Sequence, residues 1–230
     1  MKPRLCMLAL LCGLVLLTPP LLQGRNGNPN PGVLPPGARA YGMTYGAWGA
    51  AWWNWALSSS LADNPVADET GANCHVNQAG PVWFLAGTFG GPAVRHCHVP
   101  AGKALFFPII NTVWWATEPD ETEEEIREGA NATIDQVTVL ECSINGVPLK
   151  KLDAYRADSP AFTLHLPEGA IADELFDLSG DFYPAVADGY WIMLAPLPRG
   201  KHVIHFRGVQ GDPNDPLFET EVTYFLTVGP

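Results

Sequence analysis

The chain has 230 residues and a formal net charge of −11, so a nucleic-acid partner is not expected, because binding to phosphates depends on basic side chains. Hydrophobic residues make up 47% of the chain and charged residues 16%, a balance that excludes a largely disordered protein. The 23 glycines and 22 prolines favour one domain of many short strands joined by tight turns.

Residues 1–24 have the pattern of a secretory signal peptide. Lys2 and Arg4 precede an apolar run at residues 6–17, and two prolines follow that run. The run is shorter than the roughly 20 residues that a membrane-spanning helix needs. A lipoprotein signal is the weaker alternative, since the residue before Cys12 is not small. We therefore expect a secreted or periplasmic protein whose mature form has no membrane span.

The chain after the signal peptide divides into an arm and a domain. Residues 25–40 are mostly Pro, Gly and Asn with little apolar surface to bury, which is typical of an extended arm. Residues 41–230 contain the apolar, strand-like segments, and we expect them to form a single β-sandwich domain. A domain of this length is large enough to bury a full core.

A helix is predicted from Thr44, whose hydroxyl can cap the first turn. Four aromatic residues follow at spacings of three or four positions, so that their rings share one helix face: Tyr45, Trp48, Trp52 and Trp55. Such a face is typical of a helix packed across a sheet, because each ring buries a large area. Stacking of these rings on a ligand is the alternative interpretation.

Three apolar strands are predicted in the next part of the chain, at residues 81–87, 94–99 and 104–110. The third is apolar on both faces, as expected of a central strand that is covered on each side. Pro108 cannot donate a hydrogen bond to a neighbouring strand, so we expect a bulge or the end of the strand at that residue.

The second half of the chain alternates strands with one acidic helix. The acidic run at 118–125 is predicted to open a helix, since carboxylates favour the positive end of the helix dipole. Further strands are predicted at 137–144, followed by an Asn145-Gly146 hairpin turn, and at 159–166, 189–195, 201–209 and 218–228, with 167–182 weakly helical at most. The predicted fold is mainly β, an antiparallel β-sandwich of jelly-roll or Ig-like type with two packed helices. No parallel pair is expected, because no crossover helices separate the strands.

Three cysteines follow the signal peptide, which predicts one disulfide and one free thiol in an oxidising compartment. Cys74 and Cys97 are the preferred pair, because the strand and Gly-Gly turn between them can bring the chain back on itself. Cys142 lies in an apolar strand and is then a buried thiol. A bridge between Cys97 and Cys142 is the alternative.

Several segments resemble an uncharacterised family of secreted bacterial proteins. They are YGMTYGAWGAAWWNWA, GPVWFLAGTFGG, RHCHVPAGKALFFPIIN and DGYWIMLAPLPRGKHVIHFRG, and together they cover most of residues 41–228. The resemblance implies secretion and a single domain, and it carries no activity, substrate or catalytic residue. In that family's pattern, Arg95, Cys97 and a Pro-Ala-Gly-Lys turn stand out rather than His96 and His98.

The chain also has a weaker similarity to cupin jelly rolls, in which a His-x-His strand and a later turn with a further histidine build a metal site. His96 and His98 match the first piece, and the PRGKH segment at 198–202 approximates the second, one residue short in spacing. The glutamate of the cupin pattern has no counterpart, since its position holds Gly102 or Lys103.

Histidines two positions apart on a strand point to the same side, so His96 and His98 can chelate a transition metal such as zinc, copper or iron. His75 is the candidate third ligand, because the predicted disulfide beside it would hold it nearby. His202 or His205 is the alternative third ligand. A small secreted metalloenzyme, oxidative or hydrolytic, is therefore one functional hypothesis.

The preferred hypothesis is a secreted protein that binds a neutral extracellular ligand through aromatic side chains. The acidic chain disfavours anionic partners, and its eight tryptophans favour a carbohydrate, as a small molecule or a polysaccharide. The candidate ligand-binding residues are Trp114, Trp115, Tyr190 and Trp191.

A carboxylate-based glycosidase is the third hypothesis. Its candidate carboxylates are near these aromatic residues in the sequence: Glu118, Asp120, Asp181 and Asp188. Such an enzyme needs two carboxyl groups about 5 to 10 Å apart.

The sequence contains no serine-hydrolase elbow, dinucleotide-binding fingerprint or P-loop.

Overall fold

The computed structural model describes residues 29–30 and 32–229, and the predicted signal peptide at residues 1–24 lies outside them. In this part of the chain the elements are, in order, α1 (Tyr45–Ala56), β1 (Val82–Phe84), β2 (Gly91–Pro100), β3 (Ala104–Trp115), α2 (Glu123–Ile134), β4 (Val137–Ile144), β5 (Val147–Pro148), β6 (Phe162–Leu166), α3 (Ile171–Phe176), β7 (Gly180–Leu194), β8 (Gly200–Asp212) and β9 (Asp215–Gly229).

The strands form two packed sheets. The first sheet has the order β1-β3-β7-β6, and the second sheet has the order β2-β9-β8-β4-β5. The predicted β-sandwich with packed helices is confirmed. However, β1 pairs with β3 and β2 pairs with β9 in parallel, so the expectation that no pair is parallel is wrong. Parallel neighbours in a sheet need a long connection between them, usually a helix. Between β1 and β3 this connection contains β2, a strand of the second sheet, instead of a helix.

β3 is the central strand of the core, as predicted. Residues 104–110 are all buried, because α1 packs on one side of the first sheet and the second sheet packs on the other. Phe106 stacks on Trp191 of β7, with ring centres 5.3 Å apart. Phe107 stacks across the sandwich on Phe206 of β8, at 5.2 Å. The core is thus built from aromatic rings on both sides of one strand.

β3 contains a bulge, and the two sheets are in close contact just beyond it. The register with β7 shifts between Pro108 and Ile110, which confirms the irregularity expected at the proline. Beyond the shift, Ile110 lies against Gly208 of β8, where an added Cβ would come within 2.5 Å of the Ile110 Cβ. Only glycine therefore fits at this point of contact between the sheets.

α1 is the predicted tryptophan helix. It begins where the Thr44 hydroxyl accepts a hydrogen bond from the Ala47 N–H, and Trp48, Trp52 and Trp55 are buried. The four tryptophans of α1 donate their indole N–H groups to main-chain carbonyls in four other segments, those of Ala40, Leu85, Thr112 and Val76. The aromatic face is therefore a packing face, the preferred interpretation of its spacing.

Local capping explains the start of α2 but not the start of α3. In α2, the Thr122 hydroxyl accepts from the Glu125 N–H and the Glu125 carboxylate accepts from the Thr122 N–H, a capping box that fixes the start of the predicted acidic helix. α3 is a third helix where the sequence predicts weak helicity at most. It has no side-chain cap, and Glu174 binds the Leu61 N–H from a distant segment, so tertiary contacts override its local propensity. β7 also begins at Gly180, well before the predicted start at 189.

The N-terminal arm packs more closely than expected. In its described part, Asn30 and Val33 are 1% and 2% exposed. Val33 bridges to Leu194 of β7, and the Leu34 N–H donates to the Met193 carbonyl. The described part of the segment contains turns and lies against β7 at Val33 and Leu34, so the expectation of little buried surface is wrong.

Cys74 and Cys97 form a disulfide, as predicted, which joins the loop before β1 to β2. Cys142 of β4 is free and buried. A structural disulfide is typical of oxidising compartments. Across the described residues, no helix is both long enough and apolar enough to cross a membrane.

We expect Cys142 to resist thiol reagents while the protein is folded. Burial raises the pKa of the Cys142 thiol well above its usual range, so the folded protein forms little thiolate. A thiol-reactive dye at pH 8 should therefore label the protein without residues 1–24 at the rate of global unfolding, and a Cys142→Ser variant should lose this label. Immediate labelling of Cys142 in the folded protein would contradict the expectation.

Candidate functional site

A cleft of about 400 Å³ lies beside β3, between the two sheets. Its walls come from α1, from the segment that links β1 to β2, from β3, and from α3 and the residues after it. β8 and β9 of the second sheet contribute Gln210, Phe218 and Thr220. Small-molecule sites usually have volumes of about 300 to 1,000 Å³, so the cleft can hold a ligand.

The walls of the cleft are mostly apolar. Its lining includes Trp52 and Trp53 of α1, Ile110 and Trp115 of β3, and Phe89. No Asp, Glu, Lys, Arg or His side chain of the described residues lines it. A charged ligand would lose its hydration without gaining a partner of opposite charge. The cleft is therefore suited to a neutral ligand.

Several polar side chains in the cleft bond to one another or to the main chain. The hydroxyls of Thr88 and Thr220 are 3.0 Å apart and share a hydrogen bond. The Gln210 amide donates to the Thr133 carbonyl at 3.1 Å. These groups help to hold the walls in place.

Two other polar side chains have no partner. Asn111 Nδ2 and Trp115 Nε1 are buried donors without a hydrogen-bond acceptor, and both residues line the cleft. Within the described residues the same is true only of Trp83 Nε1, and Trp83 does not line the cleft. An unsatisfied buried donor costs about 1 to 3 kcal/mol, and such groups are rare in folded proteins. Two of them in one cleft point to acceptors that a ligand would supply.

Exposed aromatic side chains line the same cleft. Phe89 is 53% exposed and Phe176 is 74% exposed. Grouped, exposed apolar side chains beside a cavity are typical of binding sites, because a monomeric protein otherwise leaves them scattered. These two rings extend the apolar surface of the cleft toward solvent.

Of the four predicted ligand-binding aromatic residues, only Trp115 lines the cleft. Trp114, the next residue in β3, is 43% exposed and donates its indole N–H to the Thr133 hydroxyl of α2. Tyr190 is half-buried outside the cleft. Trp191 is fully buried in the core stack, so the prediction that it binds a ligand is wrong.

The three predicted metal ligands do not converge. His96 and His98 are exposed on the same side of β2, as predicted, but the His96 ring stacks on Phe225 with ring centres 5.1 Å apart. His75 is exposed in a loop, where its Nδ1 lies 3.1 Å from the Ala72 carbonyl oxygen. No three His, Cys, Asp or Glu side chains of the described residues are grouped as a zinc, copper or iron site requires.

The alternative histidines are engaged in other contacts. His202 Nε2 lies 2.8 Å from the Pro198 carbonyl oxygen, and its Nδ1 lies 3.1 Å from the Asn145 side chain. His205 pairs with Glu221 at 3.0 Å. Both rings therefore serve local contacts on the second sheet and do not complete a set with His96.

The four candidate carboxylates do not line the cleft. Asp188 is fully buried, and burial raises its pKa although Arg156 lies 2.7 Å away. Asp181 lies on the same strand, seven residues earlier, which separates the two carboxylates by roughly 23 Å in an extended chain. This is beyond the separation of about 5 to 10 Å that glycosidases use. Glu118 and Asp120 are exposed after the end of β3.

Asn111 is the cleft residue that sequence reasoning did not select. It ends the apolar run FFPII of β3, and its amide is buried without a partner. A polar side chain that closes such a run is a signal that could have identified it, because buried polar groups usually have a structural partner or a function.

No protein-family model matches the chain, and no curated protein is similar to it in sequence.

Proposed function

We propose that the protein binds a small, neutral, largely apolar molecule that carries hydrogen-bond acceptors, in an extracellular or periplasmic compartment. The observation that carries this proposal is the pair of unpartnered donors, Asn111 Nδ2 and Trp115 Nε1, in a cleft without charged residues. The disulfide between Cys74 and Cys97 supports the compartment, as does the signal-peptide pattern of the sequence.

Binding would give both donors a partner. Carbonyl or ether oxygens of the ligand accept from the Asn111 amide and the Trp115 indole, while its apolar part contacts Trp52 and Phe89. Neither nitrogen is open to solvent, so a small rotation of each side chain precedes the new hydrogen bond. The binding free energy then includes relief of the cost of an unpaired donor, about 1 to 3 kcal/mol for each.

An apolar ligand fits this cleft better than a carbohydrate. Sugar hydroxyls need several polar partners, whereas the hydroxyls of Thr88 and Thr220 bond to each other. Trp115 is the one predicted aromatic residue left to stack on a sugar ring in the cleft. Carbohydrates are accordingly the second class of neutral ligand to test. For the metalloenzyme hypothesis, the described residues hold the His96 and His98 pair without a third grouped ligand. For the glycosidase hypothesis, none of the four candidate carboxylates lines the cleft.

The proposal is tested with prodan, a neutral naphthalene ketone whose carbonyl is an acceptor. We expect saturable binding, seen as a blue shift of prodan emission and as energy transfer from tryptophan. Trp115→Phe and Asn111→Leu should each weaken binding about tenfold, because each removes a donor to the ligand. Both variants should keep their stability within about 1 kcal/mol, since the deleted N–H groups have no partner in the free protein.

Trp114→Phe is the matched control. It makes the same change one residue earlier, in a side chain that bonds to Thr133 and does not line the cleft. We expect prodan to bind this variant as it binds the original chain. Equal losses in Trp114→Phe and Trp115→Phe, or no saturable binding to the original chain, would refute the proposed site. Soluble oligosaccharides that displace prodan would instead identify the ligand class as carbohydrate.

A further inference from the structure

The cleft runs along the edge of β3 rather than across a sheet face. Side chains alternate between the two faces of a strand, so a groove on one face contacts every second residue. The four consecutive residues of β3 from Ile110 to Val113 all line the cleft. β1, the neighbour on that side, pairs only with residues 104–106. Among the described residues, no strand pairs with this edge of β3 beyond residue 106.

The hydrogen bonds of β7 show which peptide groups of β3 face this open edge. Ala187 exchanges hydrogen bonds with Ser159, and the Gly189 carbonyl accepts from the Ala157 N–H, so Ala187 and Gly189 direct their peptide groups away from β3. Opposite residues of an antiparallel pair exchange both hydrogen bonds or neither.

Val113 and Asn111 are the residues opposite Ala187 and Gly189. Their N–H and C=O groups therefore point away from β7 and into the cleft. The close approach of the two strands at Gly189 supports this direction of the peptide groups. A Cβ added at Gly189 would lie 2.6 Å from the Asn111 Cβ, as is typical of opposite residues that exchange no hydrogen bonds. By the same alternation, the peptide groups of Trp115 also face the open edge.

The open edge thus presents a regular hydrogen-bonding array. Asn111, Val113 and Trp115 offer alternating N–H and C=O groups at steps of roughly 7 Å, the two-residue repeat of a strand. The unpartnered Asn111 Nδ2 and Trp115 Nε1 lie at the two ends of this array. An extended peptide has the same repeat and adds to a sheet edge through main-chain hydrogen bonds.

We propose that the natural occupant of the cleft is an extended peptide segment with uncharged side chains, which adds to the first sheet as a strand along Asn111–Trp115. This inference rests on the proposed function, because it names the ligand class of the same cleft. The charge of the site supports an uncharged segment, since no ionisable side chain of the described residues lines the cleft. The array spans roughly 14 Å, the length of four to five extended residues. Phe89 and Phe176 would contact its apolar side chains.

The test uses a capped pentapeptide of alternating Val and Thr and its N-methylated forms. Alternate N–H groups of an added strand face β3, so N-methylation at residues 2 and 4 should affect binding differently from N-methylation at residue 3. We expect N-methylation of the N–H groups that face β3 to weaken binding about tenfold for each blocked group. N-methylation of the N–H groups that face away from β3 should change the affinity by no more than about twofold. Loss of binding that does not depend on the pattern would overturn the proposal.

Amide hydrogen exchange gives a readout on the full chain. Peptide binding should slow exchange at Asn111 and Val113, whereas Thr112 and Trp114 already bond to β7 and should change little. Prodan binding without peptide binding would overturn this inference and leave the proposed function standing, and binding of neither would overturn both. Protection of Asn111 and Val113 by self-association of the free protein would assign the edge to a second copy and also overturn the inference.

Discussion

Replacing Arg95 with methionine should lower the free energy of unfolding by about 3 to 5 kcal/mol, because it leaves several buried carbonyl groups without a donor, at about 1 kcal/mol or more each. Arg95 is 1% exposed. Its guanidinium donates to four main-chain carbonyls and one phenol, those of Val66, Asp68, Ala86, Gly87 and Tyr224. Methionine keeps the apolar length of the side chain and removes all five donations, although the Ala86 carbonyl keeps the Tyr224 hydroxyl as a donor.

Tyr224→Phe is the matched control for the arginine. It removes one of the five arginine contacts together with the two hydrogen bonds between the phenol and the main chain of Ala86. It should cost about 2 kcal/mol, less than Arg95→Met, because the other four donations of the arginine stay in place. Urea unfolding followed by circular dichroism measures both variants. If Arg95→Met lowered the free energy of unfolding by less than about 1 kcal/mol, the prediction would be wrong, and water would have replaced the arginine as donor to the carbonyls. Val66 and Gly87 line the cleft, so prodan binding should also weaken in Arg95→Met.

Replacing Trp191 with alanine should lower the free energy of unfolding by about 3 to 5 kcal/mol through the cavity that it leaves. Trp191 is fully buried, and its ring stacks on Phe106 and meets Trp52 edge-on at 5.9 Å. Its indole N–H donates to the Ala157 carbonyl. Truncation would therefore remove packing between α1 and the first sheet together with one buried hydrogen bond.

The comparison for Trp191 is Trp114→Ala. Trp114 is 43% exposed, and its ring packs on Gly129 and donates to the Thr133 hydroxyl. Its truncation should therefore cost about 1 to 2 kcal/mol, less than that of the fully buried Trp191. Thermal and urea unfolding of the two variants measure the difference. Similar losses in both would contradict the assignment of Trp191 to the core.

Local sequence patterns predicted the parts of the fold that depend on near neighbours. The spacing of Trp48, Trp52 and Trp55 defines one helix face whatever the helix packs against. The uninterrupted apolar run of β3 could lie only where both faces are covered. The Cys74–Cys97 pairing followed from a single intervening strand. In each case the information lies within a short stretch of chain.

The cleft could not be predicted in this way, because it depends on where β1 stops. β1 has three residues and pairs with β3 only over 104–106, which leaves the rest of that edge open. The end of one strand relative to a partner about 20 residues away is set by tertiary packing and loop geometry, to which local propensity contributes little. The parallel pairing of β1 with β3 was not predicted, for the same reason.

The aromatic residues show a second limit. Trp115 and Trp191 both lie in apolar strand segments with an aromatic neighbour, and their sequence surroundings are alike. Trp115 lines the cleft with a free indole N–H, whereas Trp191 is enclosed by α1 and donates to Ala157. Which face of a sheet a helix covers depends on the assembled sandwich. The alternation of side chains along a strand therefore cannot show, from the sequence alone, which of the two rings lies in the cleft and which lies in the core.

The four indole hydrogen bonds of α1 have a consequence for the order of folding. Their acceptors, the carbonyls of Ala40, Val76, Leu85 and Thr112, belong to segments that are remote from one another along the chain. Isolated helices of this length are only marginally stable in water, so α1 gains most of its stability from these distant partners. We therefore expect α1 to become a stable helix only together with β3 and the loops that supply these acceptors, and not on its own.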